Sequence, residues 1–497
     1  MVGSVFKAFA WSTIGRLINA VTKFLSVPLM LSHYGKDNYG LIALAFSVNV
    51  YMQIMDMGFN IGNVKFISSW IKEGENQKIN KLIQSSLTFY SLIGLINFTV
   101  LIVVSFFSKS IFGLSEEDDL VLKKLFYILA FSSILSWFFS ITNQVLKAYE
   151  KIDYDEKLTL ITNVLAFILV IISVSINLNL VVYFLVNTVL LLSMYPIRVL
   201  KCKELNKEIV FKFGWYSDVF KKVIRYSINV FLLSIFQFSA TNLRPIILGI
   251  KSDVSDVSDY RILQQITSLI LIFTGSLMGI LLPITSKLDS NDKGNAETEA
   301  LIIYDFTKII TILLSFLVFG LVLISKPFLL IYIGSDYLGL TMWLSLWAFS
   351  FLGNHIVAIS AIVLAKNNLK TITYFTVFSC VVSLLICWFF CEEYKIGGVV
   401  FSIISYSLLQ LLFYYTYYYP KVMRLNSKKI FITSFLIPTL IGMASFFIVD
   451  LMLNFFKFGN NWSEIFSKGF VYVLLFFIAV NFFSVKIKDI KNIIQKR

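Results

Sequence analysis

The sequence predicts an all-α polytopic membrane protein of about fourteen transmembrane helices, and three observations predict it. Hydrophobic residues make up 58% of the 497 residues and charged residues 14%, with a mean hydropathy of +0.80. A soluble domain is about half apolar and about a quarter charged. Apolar stretches of about 20 residues recur, each long enough for a hydrocarbon core ~30 Å thick. Lys and Arg then gather in alternate loops, as the positive-inside rule requires.

The stretches fall at 11–32, 39–64, 83–107, 121–146, 158–178, 179–199, 223–250, 260–286, 301–325, 338–365, 370–391, 396–419, 430–455 and 465–485. With a cytoplasmic N-terminus, the inner segments are 65–81, 147–157, 198–225, 287–295, 366–370, 421–429 and the tail after Val485. Together with Lys7 these hold 29 of the 43 Lys and Arg, against 10 in the outer loops. Four more, Arg16, Lys23, Arg244 and Lys308, lie within spans. The outer loops include the acidic "SEEDD" (115–119), read as a solvated loop, and "SDVSDVSD" (252–259). This bias puts both termini in the cytoplasm. It also accounts for most of the net charge of +14 through membrane lipids, with no nucleic-acid partner.

Eight cations crowd 198–225, which is read as a linker lying against anionic headgroups. It divides the chain into an N-terminal lobe (1–200, spans 1–6), the basic linker (201–222), a C-terminal lobe (223–420, spans 7–12) and a final segment (421–497) with spans 13 and 14 and a basic tail. Six spans return the chain to its starting side, so a duplicated six-span unit keeps its orientation as a parallel repeat. "PLMLSHYGKDNYG" (28–40) after the first span and "PIILGIKSDVSDVSDY" (245–260) after the seventh fit such a repeat.

Cys202, Cys380, Cys387 and Cys391 are scattered through the chain and read as packing residues, with no metal site and no disulfide framework. No cleaved signal peptide is expected. No G-x-x-x-x-G-K-[ST] occurs, so ATP is not hydrolysed through a P-loop. The tyrosines of "LLFYYTYYYPKVMRL" (411–425) read as an interfacial aromatic belt.

The first span carries a polar stripe, Thr13, Arg16, Asn19 and Lys23, on one helical face. At 1.5 Å per residue Lys23 lies about 18 Å deep, close to the midplane. A cation there costs roughly 2.5–3.5 kcal/mol, so it lines a wet cavity or pairs with Asp56. Arg16, about 8 Å deep, lines the same cavity or snorkels to the inner interface. Arg244, beside Pro245, has the same two readings at the outer end. Lys308 reads as a surface pair with Asp305. Asp56 is a candidate proton or sodium site, the counter-ion of Lys23, or a helix-end cap. His355 is a proton carrier or a hydrogen-bonded packing residue.

"VPLMLSHYGKDNYGLIALAF" and "MDMGFNIGNVKFIS" resemble the opening of the Wzx-like polysaccharide (O-antigen and capsule) lipid flippases, through Pro28, Gly35, Tyr39, Gly40, Asp56 and Gly58. "ILGI…DYRI" and "LLPITSKL" (281–288) resemble the start of that family's second lobe. The resemblance implies the multidrug, oligosaccharidyl-lipid and polysaccharide exporter superfamily: two six-helix lobes in a V around a central cavity. It implies a flippase rather than an enzyme, moving an undecaprenyl-diphosphate-linked oligosaccharide from the inner to the outer leaflet of the bacterial inner membrane. A diphosphate would give Arg16, Lys23, Asn19 and Arg244 a ligand. No cofactor is expected; the membrane potential or an H+/Na+ gradient would drive transfer. Polysaccharide assembly enzymes are expected partners at the inner loops. The rivals are a multidrug cation antiporter of the same superfamily, which would want acids where the first span has cations, and a membrane polysaccharide polymerase or glycosyltransferase, which would want a large outer loop. An ion channel would not need the two-lobe repeat.

Overall fold

A computed structural model describes residues 2–56, 58–285, 293–356, 359, 370–456 and 458–484. Among them the chain is mostly helical, and a helix lies at each of the fourteen expected spans. Among the described residues, nine helices are long and apolar enough to cross a membrane outright. The others are interrupted, and the interruptions are where the sequence expectation needs correcting.

Spans 1 and 2 form one continuous helical stretch, α1 (Val2–Tyr51), broken at Gly35. Its φ of 81° and ψ of 169° suit glycine, which has no Cβ to clash there. A 3-10 turn (Met52–Asp56) and Gly58, at φ 69°, then end span 2 early, and α2 (Phe59–Glu73) follows. The helices α3 (Asn76–Phe112) and α4 (Glu116–Ala148) pack as a hairpin. Next come α5 (Ile152–Ser175), α6 (Leu180–Leu192) and α7 (Met194–Leu205). Asn179 caps α6 by accepting from Val181 N, which makes the short "NLN" break a true helix boundary. Span 7 is α8 (Ser217–Asn242) plus α9 (Arg244–Lys251), and span 8 is α10 (Val254–Thr285).

"SEEDD" is not a solvated loop. Ser115 is the N-cap of α4, and Glu116, Glu117, Asp118 and Asp119 form its first turn, where the helix dipole favours acids. Asp119 is buried, accepting from Ser108 Oγ and pairing with Lys123 at 2.6 Å.

The chain packs as two compact units, Met1–Ile262 and Leu263–Arg497. The boundary between these two units falls inside α10. The reason lies in packing: α8 lies on α2 and α3, and α9 on α1. The linker is itself fastened to α3. Asn80 donates to Glu208 O at 2.7 Å and accepts from Val210 N at 3.0 Å, and Ser85 Oγ accepts from Tyr216 N at 2.9 Å. Nor do all its cations face headgroups, since Arg198 is buried against Asp155 at 2.7 Å.

The second unit holds α11 (Lys293–Tyr332), α12 (Leu340–Ser350), a 3-10 turn (Phe351–Ile356), α13 (Lys370–Tyr394), α14 (Ile396–Phe413), α15 (Ile437–Leu453) and α16 (Asn461–Phe483). The tyrosine tract winds as a π-helix (Tyr414–Val422), and Tyr414, Tyr418 and Tyr419 are buried. That corrects the aromatic belt: these rings fill the interior of the unit. Lys308 donates to Ser484 O at the end of α16 at 2.7 Å, and the Asp305 charge one turn before acts on it as well. All four cysteines are buried and unbridged. The inner segments at 287–295 and 366–370, the tail after Val485 and most of "TSKL" lie wholly or partly outside the described residues.

Candidate functional site

On the first span, the side chains of Thr13 and Arg16 lie outside the described set, while the helix backbone there is described. Asn19 is half-buried, and its Oδ1 has no hydrogen-bond partner. Lys23 stands exposed on α1. The charge that acts on it is that of Arg261 on α10, a like charge, and not that of Asp56. Arg261 in turn hydrogen-bonds the hydroxyl of Tyr39. Lys36, just past the Gly35 break, pairs with Asp259 at 2.8 Å and ties the start of α10 to α1. Gly40 permits that approach, because a Cβ there would lie 2.2 Å from Val254 O. The cation acting on Lys23 is thus Arg261, where the sequence expectation offered a wet cavity or a pair with Asp56. The "DYRI" of the repeat was the available signal for it. Arg244 opens α9 and is 8% exposed, so it is not a snorkelling side chain.

Asp56 sits elsewhere, at the mouth of α2. Gly58 lets the chain turn sharply there, with Ser227 O only 3.0 Å from where its Cβ would be. Asp56 Oδ2 accepts from Asn60 N at 3.3 Å, which is a helix-end cap, and Oδ1 accepts from Tyr90 OH at 2.7 Å. Gln144 Nε2 donates to the same Tyr90 oxygen at 2.8 Å, and Asn63 Nδ2 donates to Gln144 Oε1 at 2.7 Å. Among the described residues Asp56 makes no ion pair with Lys23, so its counter-ion reading falls.

This network borders a cavity of about 910 Å³ inside the first unit. The end of α1 and the turn after it supply Asn49, Gln53 and Asp56; α2 supplies Asn60 and Lys65. From α4 come Ser136, Trp137, Ser140, Asn143, Gln144 and Lys147, spaced as one helical face. Asn97 of α3, Tyr195 and Arg198 of α7, and Phe231, Ile235 and Phe238 of α8 close it. Sequence reasoning missed this site except for Asp56. The stripe on α4 was the readable signal.

His355 lies in the second unit and is fully buried. Nδ1 meets Leu352 O at 2.7 Å, and a carbonyl can only accept, so Nδ1 carries the proton. Nε2 of the neutral ring then accepts from Tyr415 OH at 2.8 Å. The ring also stacks on Phe435 at 4.4 Å. Both nitrogens are engaged, which is the packing arrangement.

The fold is shared with solved flippase and transporter structures. It is similar to "Lipid II flippase MurJ, inward closed conformation", at 16% identity and TM-score 0.74, covering 95% of this chain and 98% of that one. It is similar to an inward-facing "multidrug resistance MATE family transporter of the MOP superfamily", at 14% identity and TM-score 0.67, over 80% and 96%. A further likeness is the MATE multidrug transporter DinF-BH, at 15% identity and TM-score 0.60, over 85% and 97%. No curated protein matches the sequence. The chain belongs to the polysaccharide biosynthesis protein family, whose match spans residues 5–289.

Proposed function

We propose that the protein is a flippase that moves an undecaprenyl-diphosphate-linked oligosaccharide from the inner to the outer leaflet by alternating access through a cationic passage. The observation that carries this reading is the match of residues 5–289 to the polysaccharide biosynthesis protein family, together with a cation, Lys23, within the first span on which Arg261 of α10 acts as a like charge. A diphosphate offers oxygens that Arg clasps in a fork and Lys neutralises as a point charge. Asn19, whose Oδ1 is unbonded, lies one turn before Lys23 on α1, and the buried Arg244 opens α9, which packs on α1. The family match to polysaccharide biosynthesis proteins supports a glycan as cargo.

The reading is transport rather than catalysis, and the transporter and flippase folds that the chain resembles support it. In this reading the protein sits in the bacterial inner membrane with both termini in the cytoplasm. The membrane potential or an H+/Na+ gradient drives it, and polysaccharide assembly enzymes dock on the basic inner loops. The likeness to multidrug transporters supports the second reading, a cation antiporter. Lys23 beside Arg261 would repel such a cargo.

The test is leaflet transfer in liposomes holding the purified full chain. An undecaprenyl-diphosphate oligosaccharide should cross in the wild type and fail in Lys23→Gln. Transfer of a cationic dye instead, with no lipid crossing, would establish the antiporter.

A further inference from the structure

The segment that joins α7 to α8 (206–216) forms no helix, yet it is fastened along the first turns of α3. Asn80 holds Glu208 O and Val210 N, and Ser85 Oγ accepts from Tyr216 N. Thr88 Oγ1 donates to Gly214 O at 2.9 Å and accepts from Gly214 N at 3.1 Å. The apolar run of this span begins at Ile83. Thr88 lies five residues further on, about 8 Å along the helix axis. Gly214 is therefore fixed beside the membrane-spanning part of α3. Irregular backbone is tolerated at such depth only where protein satisfies its polar groups. Thr88 satisfies both of Gly214's. The residue is glycine because a Cβ there would lie 2.9 Å from Gln84 Oε1 and 3.1 Å from a ring carbon of Tyr216.

The side chains on either side of Gly214 are left uncovered. Phe213 is 65% exposed and Trp215 54%. Each rests against one ring of the bundle, Phe213 on Phe138 of α4 at 5.7 Å and Trp215 on Phe220 of α8 at 4.4 Å. Large rings held at this level suit the boundary between headgroups and acyl chains, where Trp concentrates. Around them, residues 201–225 carry seven cations against three acids. Lys207, Lys212 and Lys221 are exposed, and none makes an ion pair among the described residues. Lys212 adjoins Phe213 in the chain, and its stem is long enough to return the ammonium to the level of the phosphates.

We infer that 206–216 is a docking surface for the anionic phospholipids of the inner leaflet. Phe213 and Trp215 insert at the top of the acyl chains, and Lys207, Lys212 and Lys221 lie on the phosphates. The excess of cations is what selects anionic lipid over zwitterionic, each lysine near such a surface adding about fivefold to its hold. The segment is bonded to α3 and runs directly into α8, so docking fixes the inner ends of both helices to one leaflet. This inference needs no particular cargo and stands apart from the flippase reading.

The experiment attaches a nitroxide to Phe213→Cys and, separately, to Lys207→Cys in the purified full chain. The four native cysteines are buried, and the unsubstituted chain gives the blank. Nanodiscs of phosphatidylcholine with phosphatidylglycerol are compared with phosphatidylcholine alone by electron paramagnetic resonance. Depth is read from collisions with oxygen, which concentrates in the bilayer, and with a nickel chelate, which stays in water. With phosphatidylglycerol present, the label at 213 should meet oxygen several-fold more than nickel, and the label at 207 the reverse. Omitting phosphatidylglycerol, or adding Lys212→Gln and Lys221→Gln, should shift the label at 213 toward nickel. Nickel access at 213 equal to that at 207 in phosphatidylglycerol would overturn the docking. A depth indifferent both to phosphatidylglycerol and to the two lysines would overturn anionic lipid as the partner. Spin–spin broadening at 213 would overturn it too, because a second copy of the chain would then cover the rings.

Discussion

Tyr90 gives its hydroxyl hydrogen to Asp56 Oδ1 at 2.7 Å while the same oxygen accepts from Gln144 Nε2 at 2.8 Å. One ring, fully buried on α3, thereby joins the end of the second span to α4. It also stacks on Trp137, with centroids 5.9 Å apart. The carboxylate is anchored to its own surroundings, which is why it does not reach Lys23.

Tyr90→Phe should therefore destabilise the first unit. It leaves Asp56 Oδ1 and Gln144 Nε2 without their shared partner, a loss of about 1–3 kcal/mol for an orphaned buried group. Thermal unfolding in detergent, followed by tryptophan fluorescence, should show a lower Tm than wild type. An unchanged Tm would mean that water substitutes for the hydroxyl.

The separation of Lys23 from Asp56 is open to a double-mutant cycle. Lys23→Gln and Asp56→Asn should act additively on unfolding, to within about 0.3–0.5 kcal/mol, as independent sites do. A larger coupling energy would restore the ion pair that depth alone suggested.

Asp155 neutralises Arg198 and holds Asn143, with all three partly or wholly buried in the same wall. Asp155→Asn strands a buried guanidinium, which costs about 3–5 kcal/mol. The expected result is poor recovery of folded protein, rescued in part by Arg198→Met in the same chain. Failure of the second change to rescue would show that Asp155 matters chiefly through Asn143.

Gly40→Ala should be damaging out of proportion to its size. The added methyl would sit 2.2 Å from Val254 O, a backbone atom that cannot rotate away. Overpacking of this kind costs about 1–3 kcal/mol. The Lys36–Asp259 pair should loosen with it, so protease access to 252–259 should rise in limited proteolysis. Wild-type resistance in the variant would mean that α1 and α10 slide apart freely.

How much of this was legible in the sequence follows from which forces act locally. Span length and loop charge are local, so the helices appear where apolar runs predicted them, and Asn179 caps α6 where three residues had to turn the chain. Gly35, Gly40 and Gly58 carried the family likeness, and each proves to sit at a break or a close approach. Partnerships were not legible. The Lys36–Asp259 pair and the close approach at Gly40 tie α1 to the start of α10, a partnership between segments more than 200 residues apart in the chain. The α4 stripe escaped notice because Ser, Asn and Gln every three or four residues barely lower a span's hydropathy. Lys308 found a helix-end carbonyl on α16, far along the chain from the neighbouring Asp305.

The driving force is open to measurement as well. Moving an anion outward from a negative interior is downhill by about 2.3 kcal/mol per charge for each 100 mV. A diphosphate with two charges would therefore gain about 4–5 kcal/mol from a potential of about 100 mV. In the proposed flippase, cationic residues such as Lys23 would stay with the protein, so the net movement of charge per cycle would be that of the cargo. Collapsing the potential with valinomycin and matched potassium should slow leaflet transfer at constant pH. Asp56→Asn should leave that dependence in place, because the Asp56 carboxylate is a cap and a hydrogen-bond acceptor for Tyr90. Transfer indifferent to the potential but abolished by Asp56→Asn would assign the driving force to ion coupling at Asp56 instead.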